Sequence, residues 1–245
     1  MNPADEAVGK VLLVAEGDQT IGRAICEEAA RQGWAVAVHS AVDREAAREL
    51  VTSIRAQGGR AMSGVADLRQ TAQVSRLLQD VEQELGPVVG LICDPGAATV
   101  QPMLQLDEKL WHETLDSNLL SVFLTIQAVL PGMIEAGFGR LILLSSMAAH
   151  TGGQVGAAYA ASKAGAEGLM RYYAGQLSSH RITANSISLA VIENEVTRKL
   201  IPTTDHLPLG RMGTVEEVAA TCAMLLNNGY MTGQTLHLNG GLHFG

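Results

Sequence analysis

Tyr159 and Lys163 stand four residues apart, a spacing that sets both side chains on one face of a helix. An ammonium beside a phenol favours the phenolate, so a tyrosine in that setting can pass a proton near neutral pH. Ser146 precedes the tyrosine, just past the apolar run Leu141, Ile142, Leu143, Leu144, which reads as a buried strand. A hydroxyl at a strand end can point into a cleft and hydrogen-bond a substrate oxygen. Tyr-x-x-x-Lys alone is a short pattern that also arises without function. The serine in register, the strand that carries it and the glycine-rich loop between them give the pattern chemical meaning.

Residues that do such chemistry must be held by a scaffold, and the flanking sequence alternates strand and helix patterns. Strands are predicted at Lys10 to Ala15, Trp34 to His39, Arg60 to Val65 and Val88 to Cys93, separated by helices at Thr20 to Gln32, Asp43 to Gln57 and Thr71 to Leu85. A long helical pattern from Asp107 to Ala136 contains Asn118. Strand five, the helix of Tyr159, a sixth strand at Arg181 to Ser188, a helix at Thr214 to Leu226 and a short strand at Gln234 to Leu238 follow. This alternation predicts a parallel sheet of about seven strands with helices on both faces. No linker or repeat divides residues 1–245, so one domain is expected: a dinucleotide-binding half over 10–93, a catalytic and oligomerisation half over 107–245, and a weakly periodic segment over 193–208 suited to cover the cleft.

With these elements in place, Ser146, Tyr159 and Lys163 resemble the site of the short-chain dehydrogenase/reductases, and the similarity covers nearly the whole chain. Pro208 to Gly213 and Thr232 to Gly241 resemble the end of bacterial 3-oxoacyl-acyl-carrier-protein reductases and their relatives. The resemblance implies a Rossmann-type doubly wound α/β domain and NAD(P)-dependent interconversion of a carbonyl and a secondary alcohol. It implies a tetrad in which Tyr159 is the acid/base and Ser146 the oxygen binder. Lys163 tunes the tyrosine and meets the nicotinamide ribose, and Asn118 holds a water. Gly17, Gln19, Ile21, Gly22, Ser40, Asp67, Gly96 and Ile192 are the further residues expected at the cofactor, with a homotetramer as the assembly.

The cofactor segments depart from the family. Its first turn reads Thr-Gly-x-x-x-Gly-x-Gly, whereas here Glu16 and Thr20 replace two of the glycines and Gly22 alone keeps its place, with Gly17 beside the motif. Those glycines let the main chain approach a pyrophosphate at the helix N-terminus. Carboxylates at Glu16 and Asp18 oppose phosphate charge. Asn-Asn-Ala-Gly becomes Cys93, Asp94, Pro95, Gly96, and Pro-Gly after strand six becomes Leu189, Ala190, with Asn194 two residues after Ile192 in place of a threonine. The second strand ends at His39, Ser40, Ala41, Val42 with no acid for ribose hydroxyls, and Arg44 lies slightly beyond. The missing acid tilts the choice between NAD and NADP slightly toward NADP, since no well-placed base accompanies it and Gln19 stands where NADP-preferring relatives have a basic residue. The altered turns also admit a cofactor-deficient subunit paired with an active relative, or a small-molecule sensor.

Composition narrows the remaining classes. A net charge of −8 and pI near 5.3 disfavour a nucleic-acid partner. They also argue for a free small ketone or alcohol as substrate rather than an acidic carrier protein. Cys26, Cys93 and Cys222 are far apart and outside any metal-ligand spacing, as suits reduced thiols, and no metal is expected. The first ten residues lack a signal pattern, and no apolar run approaches a membrane span, so a cytoplasmic protein is expected.

Overall fold

The computed structural model describes residues 9–42, 45–94, 96, 100–201 and 203–244, with the side chains of Val196 and Leu200 outside the description. Residues 1–8, Asp43, Arg44 and Pro95, which figure in the expectations above, therefore lie outside it. Seven strands form one sheet: β1 (Val11–Val14), β2 (Ala35–Ser40), β3 (Ala61–Val65), β4 (Val88–Cys93), β5 (Gly139–Ser146), β6 (Ile182–Leu189) and β7 (Thr235–Leu238). Their order is β3-β2-β1-β4-β5-β6-β7, and every pairing is parallel. The fold is thus the doubly wound α/β domain that the alternation predicts.

Helices cover both faces, which is why the central strands are buried without alternation. One face carries α1 (Thr20–Arg31), α2 (Glu45–Ala56) and, from the C-terminal part, the helix Val215–Asn227, packed on Leu12, Val14, Val36 and Ile92. The other carries α3 (Thr71–Glu84) and two later helices, Ser121–Ala136 and Ala157–Leu177, packed on Leu13, Leu91, Leu141 and Leu143. The winding reverses between β1 and β4, and a crevice opens at the carboxyl ends of those two strands, where α/β sheets bind ligands.

Two expectations are corrected here. The helix foreseen over Asp107 to Ala136 is capped by Asp107, whose carboxylate accepts from the Leu110 N–H, but it is not uniform. It runs as α4 (Glu108–Leu115), a π-helical turn (Asp116–Leu120) and α5 (Ser121–Ala136). Ser117, Ser121 and Thr125 each donate a hydroxyl to the carbonyl four residues back, bonds of a kind that compete with the helix ladder. The second correction is that Glu108–Ala136 is long and apolar enough, by length and composition alone, to cross a membrane. Charged and polar residues interrupt the run in the sequence. Here it packs on the sheet, with Val122, Ile126, Val129 and Met133 in the core.

Candidate active site

Ser146 is the last residue of β5, and its Oγ accepts from the Ala148 N–H at 3.1 Å. This bond opens the short helix α6 (Ala148–Thr151). After a glycine-rich loop the chain enters α7 (Ala157–Leu177), with Tyr159 in its first turn and Lys163 in its second. Lys163 is 3% exposed, its Nζ donates to Leu144 O at 3.1 Å and lies 5.5 Å from the Tyr159 ring centroid. That bond anchors the face of α7 on the strand end that carries Ser146, and so brings hydroxyl, phenol and ammonium to one end of the sheet.

Asn118 sits in the π-helical turn and is buried. Its Nδ2 donates to Thr114 O at 2.9 Å, while its Oδ1 has no protein partner among the described residues. A buried acceptor of that kind suits water or substrate. Gly96 lies against it: a Cβ there would stand 2.6 Å from Asn118 Oδ1, and the backbone is left-handed at φ 70°. This is a physical reason for glycine to persist where its neighbours have changed.

The turn after β1 is compact. Gly17 is buried beneath α1, and its N–H donates to His39 O at 2.9 Å. Gly22 lies against Glu16, whose carbonyl oxygen would stand 2.3 Å from any Cβ at position 22. Glu16 adopts φ 55°, the left-handed region that favours the family's glycine. Its N–H donates to His39 Nδ1 at 3.0 Å, so the ring is held as the tautomer whose Nε2–H donates to Ala66 O at 2.9 Å. Burial lowers the His39 pKa, in keeping with a neutral ring that braces β1, β2 and β3. Ser40, expected at the cofactor, is instead fully buried, with its hydroxyl turned to Asp18 Oδ2 at 3.0 Å and to Val42 O. A short polar side chain at a packed strand end satisfies the neighbouring loop before it can reach a ligand.

Two cavities open at the crevice. One, of about 330 Å³, is lined by Ala41, Val42, Asp67, Leu68, Arg69, Asp94 and Gly96 among others. Asp67 Oδ1 accepts from the Arg69 N–H, and both carboxylate oxygens accept from its guanidinium at 2.8 and 2.9 Å. The Arg69 hydrogen bond is the main reason that the Asp67 carboxyl is held below the ordinary range. Asp67 therefore caps its loop and walls the cavity at once. The other cavity, of about 980 Å³, is lined by Glu16, Gln19, Thr20, Ile21, Asp94, Gly96, the segment 193–195, Arg198 and residues 214–216. Ile192 does not line it. This side chain is buried on a smaller cavity beside Leu207 and Met212.

A dinucleotide fits the donors present. Gln19 caps α1 without a side-chain hydrogen bond and no acidic residue occupies the first turn, so the leading N–H groups of this twelve-residue helix have no side-chain cap, and Thr20 and Ile21 at that end line the larger cavity. The exposed side chain of Thr20 and the carboxylate of Glu16 narrow that approach without filling it.

Some residues at this end had no sequence signal. Buried Glu167 accepts from Ser145 Oγ at 2.6 Å and pairs with His150 Nε2 at 3.0 Å and Arg171 at 3.5 Å. His150 brings two further imidazoles, His237 and His243, into a cluster with it, with ring centroids 4.8 to 6.1 Å apart. Their positions are far apart in sequence, and only the pairing of β5, β6 and β7 assembles them.

A parallel doubly wound sheet, a serine at the end of β5 and a Tyr-x-x-x-Lys face anchored beside it place this chain in one class: it belongs to the short-chain dehydrogenase/reductases, NAD(P)-dependent oxidoreductases that interconvert carbonyls and alcohols. The family profile described as Enoyl-(Acyl carrier protein) reductase matches residues 15–243. The chain is 31% identical over 242 residues to the 3-oxoacyl-[acyl-carrier-protein] reductase FabG of Pseudomonas aeruginosa, covering 96% of this chain and 98% of the relative. It is 31% identical to the protein of that name from Staphylococcus epidermidis, over 96% of this chain and all of the relative, and 32% identical to that of Staphylococcus aureus, over 96% and 98%.

Proposed function

We propose that Asn118, Ser146, Tyr159 and Lys163 carry the reaction, with NADP(H) as cofactor and a free small ketone or its secondary alcohol as substrate. The observation that carries this reading is the Lys163 bond to Leu144 O, which joins the helix of the proton donor to the strand of the oxygen binder. The nicotinamide supplies or accepts the hydride. Ser146 holds the carbonyl oxygen, Tyr159 protonates it as negative charge develops, and Lys163 supports the tyrosine. Asn118, through its unpartnered Oδ1, orders a water that returns the proton. The absence of an acid at the end of β2, where Ala41 and Val42 line the smaller cavity, supports NADP over NAD.

The reading extends to the rest of the chain. Residues 1–245 act as one domain, and the segment 193–208, which includes α8 (Glu195–Leu200), covers the cleft. Leu120, Phe123 and Tyr172 leave an apolar surface on the helices of this face, which supports burial in a homotetramer. A monomer mass by light scattering would remove that assembly. Three unpaired, buried thiols suit the cytoplasm. The altered turns had also admitted a cofactor-deficient subunit or a sensor; membership of an oxidoreductase family does not favour either.

Two measurements test the reading. Calorimetry with NADPH is expected to show binding by the natural chain. A Glu16→Gly/Thr20→Gly variant should bind about tenfold more tightly, because it removes a charge and a side chain from the phosphate approach; equal or weaker binding argues against a pyrophosphate at this turn. For the substrate, kcat/KM should be higher for a free 3-oxo ester than for the matching acyl-carrier-protein thioester. The carboxylates Glu193, Glu195 and Glu216 around the cleft repel an acidic carrier. The reverse order would move the substrate class to carrier-bound thioesters.

A further inference from the structure

The larger cavity must receive an anion, yet Glu16, Asp94, Glu193, Glu195 and Glu216 line it against one described cation, Arg198. Arg198 is already committed, its Nε donating to Glu193 at 3.0 Å. A pyrophosphate entering this cleft meets net repulsion. Position decides which carboxyl group can relieve it. Glu195 and Glu216 are exposed to solvent, and Glu193 is held by Arg198. Glu16 and Asp94 both line the wall shared by the two cavities, where a dinucleotide spanning them must pass, and of the two it is Asp94, at the carboxyl end of β4, that stands where the family has an amide.

We propose that dinucleotide binding is linked to uptake of a proton by Asp94, so that the cofactor is held more tightly as pH falls. The proposal rests on the cofactor reading above and adds to it a residue that sets the pH range of binding. When protonated, the carboxyl offers one donor and one acceptor, much as the amide that the family has at this position. A bound dinucleotide expels water and brings negative charge, and both effects favour the neutral acid.

The surroundings act in the same sense. Burial raises the Asp94 carboxyl above the ordinary carboxylate range, with the Lys163 ammonium of α7 pulling the other way. The facing groups are few in kind. Glu16 comes from the turn after β1, and Asp67 and Arg69 from the loop after β3 are bonded to one another. Cys93 beside Asp94 and Cys222 on α9 (Val215–Asn227) are buried thiols pushed up by burial, Cys93 to about 12, and both feel the Asp94 charge. No histidine is among the described residues that line either cavity. The sign follows from linkage: the bound state holds the proton more strongly than the free state. Affinity is therefore constant below the free-protein pKa, falls tenfold per unit between the free and bound values, and levels off above them.

The probe is NADH, which lacks the 2′-phosphate whose own titration would confuse the result, and binding is read rather than turnover, which also carries the Tyr159 proton step. Dissociation constants are measured from pH 5.5 to 8.5. Binding heats at pH 7 are compared in two buffers of different protonation enthalpy. The natural chain is expected to weaken about tenfold as pH rises and to take up a fraction of a proton on binding. Asp94→Asn should flatten the profile to within about twofold and bind more tightly than the natural chain at pH 8. A flat profile with buffer-independent heats overturns the proposal, as does an Asp94→Asn profile that keeps the slope. Should the variant not fold, Glu16→Gln takes its place: proton uptake and a slope kept in that variant support Asp94 as the group that takes the proton, and a slope lost with Glu16 overturns the proposal. If neither NADH nor NADPH binds at any pH, the cofactor reading fails and the proposal with it.

Discussion

Tyr159→Phe is expected to lower kcat by about 10²- to 10⁴-fold, the range that a positioned general acid supplies, while dinucleotide affinity and thermal stability stay close to those of the natural chain. The substitution deletes one oxygen and leaves the ring that lies under Lys163 Nζ. The Lys163 bond to Leu144 O does not depend on the phenol, so α7 keeps its seat on β5. A proton must reach the carbonyl oxygen as the hydride arrives at carbon, and Ser146 is expected not to replace the donor: its Oγ accepts from the Ala148 N–H, which leaves its own O–H to hydrogen-bond the substrate oxygen, but an alkyl hydroxyl is too weak an acid to give that proton up. Steady-state kinetics with a free ketone, beside calorimetry with NADPH, check the split. A variant that kept kcat within threefold would move the acid role to another group. One that lost cofactor binding as well would make Tyr159 a structural residue.

The strands and most helices were legible because each is a local pattern. Val88 to Cys93 is an apolar run opened by Gly86-Pro87 and stopped by Asp94, and its bounds in the fold are the same. That Ser146, Tyr159 and Lys163 come to one end of the sheet was legible because one strand, one loop and one helix carry all three. The π-helical turn at Asn118 was not, since nothing in the periodicity separates it from the helix on either side, and the hydroxyl bonds of Ser117, Ser121 and Thr125 around it are visible only in the fold. Ser40 misled for a related reason: its position along the chain suits a ribose, but Asp18, arriving from the turn after β1, claims its hydroxyl first. The imidazoles at His150, His237 and His243 meet only through the sheet, and no spacing announces them. Asp94 stands between these cases, visible as a departure from an amide while the shared wall that gives it consequence appears only in the fold.

The same distinction explains which glycines of the first turn could change. Thr20 is exposed and faces the larger cavity, so a side chain there burdens the ligand rather than the fold. Gly22 faces backbone: a Cβ would meet Glu16 O at 2.3 Å and Gly17 Cα at 2.7 Å, and neither atom can swing aside as a side chain would. Gly22→Ala should therefore destabilise the protein by about 1–3 kcal/mol, the cost of overpacking, even though alanine is otherwise the better helix former by about 1 kcal/mol. At this size each kcal/mol lowers Tm by roughly 2–4 °C. Affinity for NADPH should fall at least tenfold, because the turn that must yield is the one that sets the α1 N-terminus at the cavity. Thermal melts and calorimetry on the single variant check both. If Gly22→Ala melts at or above the natural Tm, the close approach of Glu16 to α1 is wrong, and the preserved glycine needs another cause.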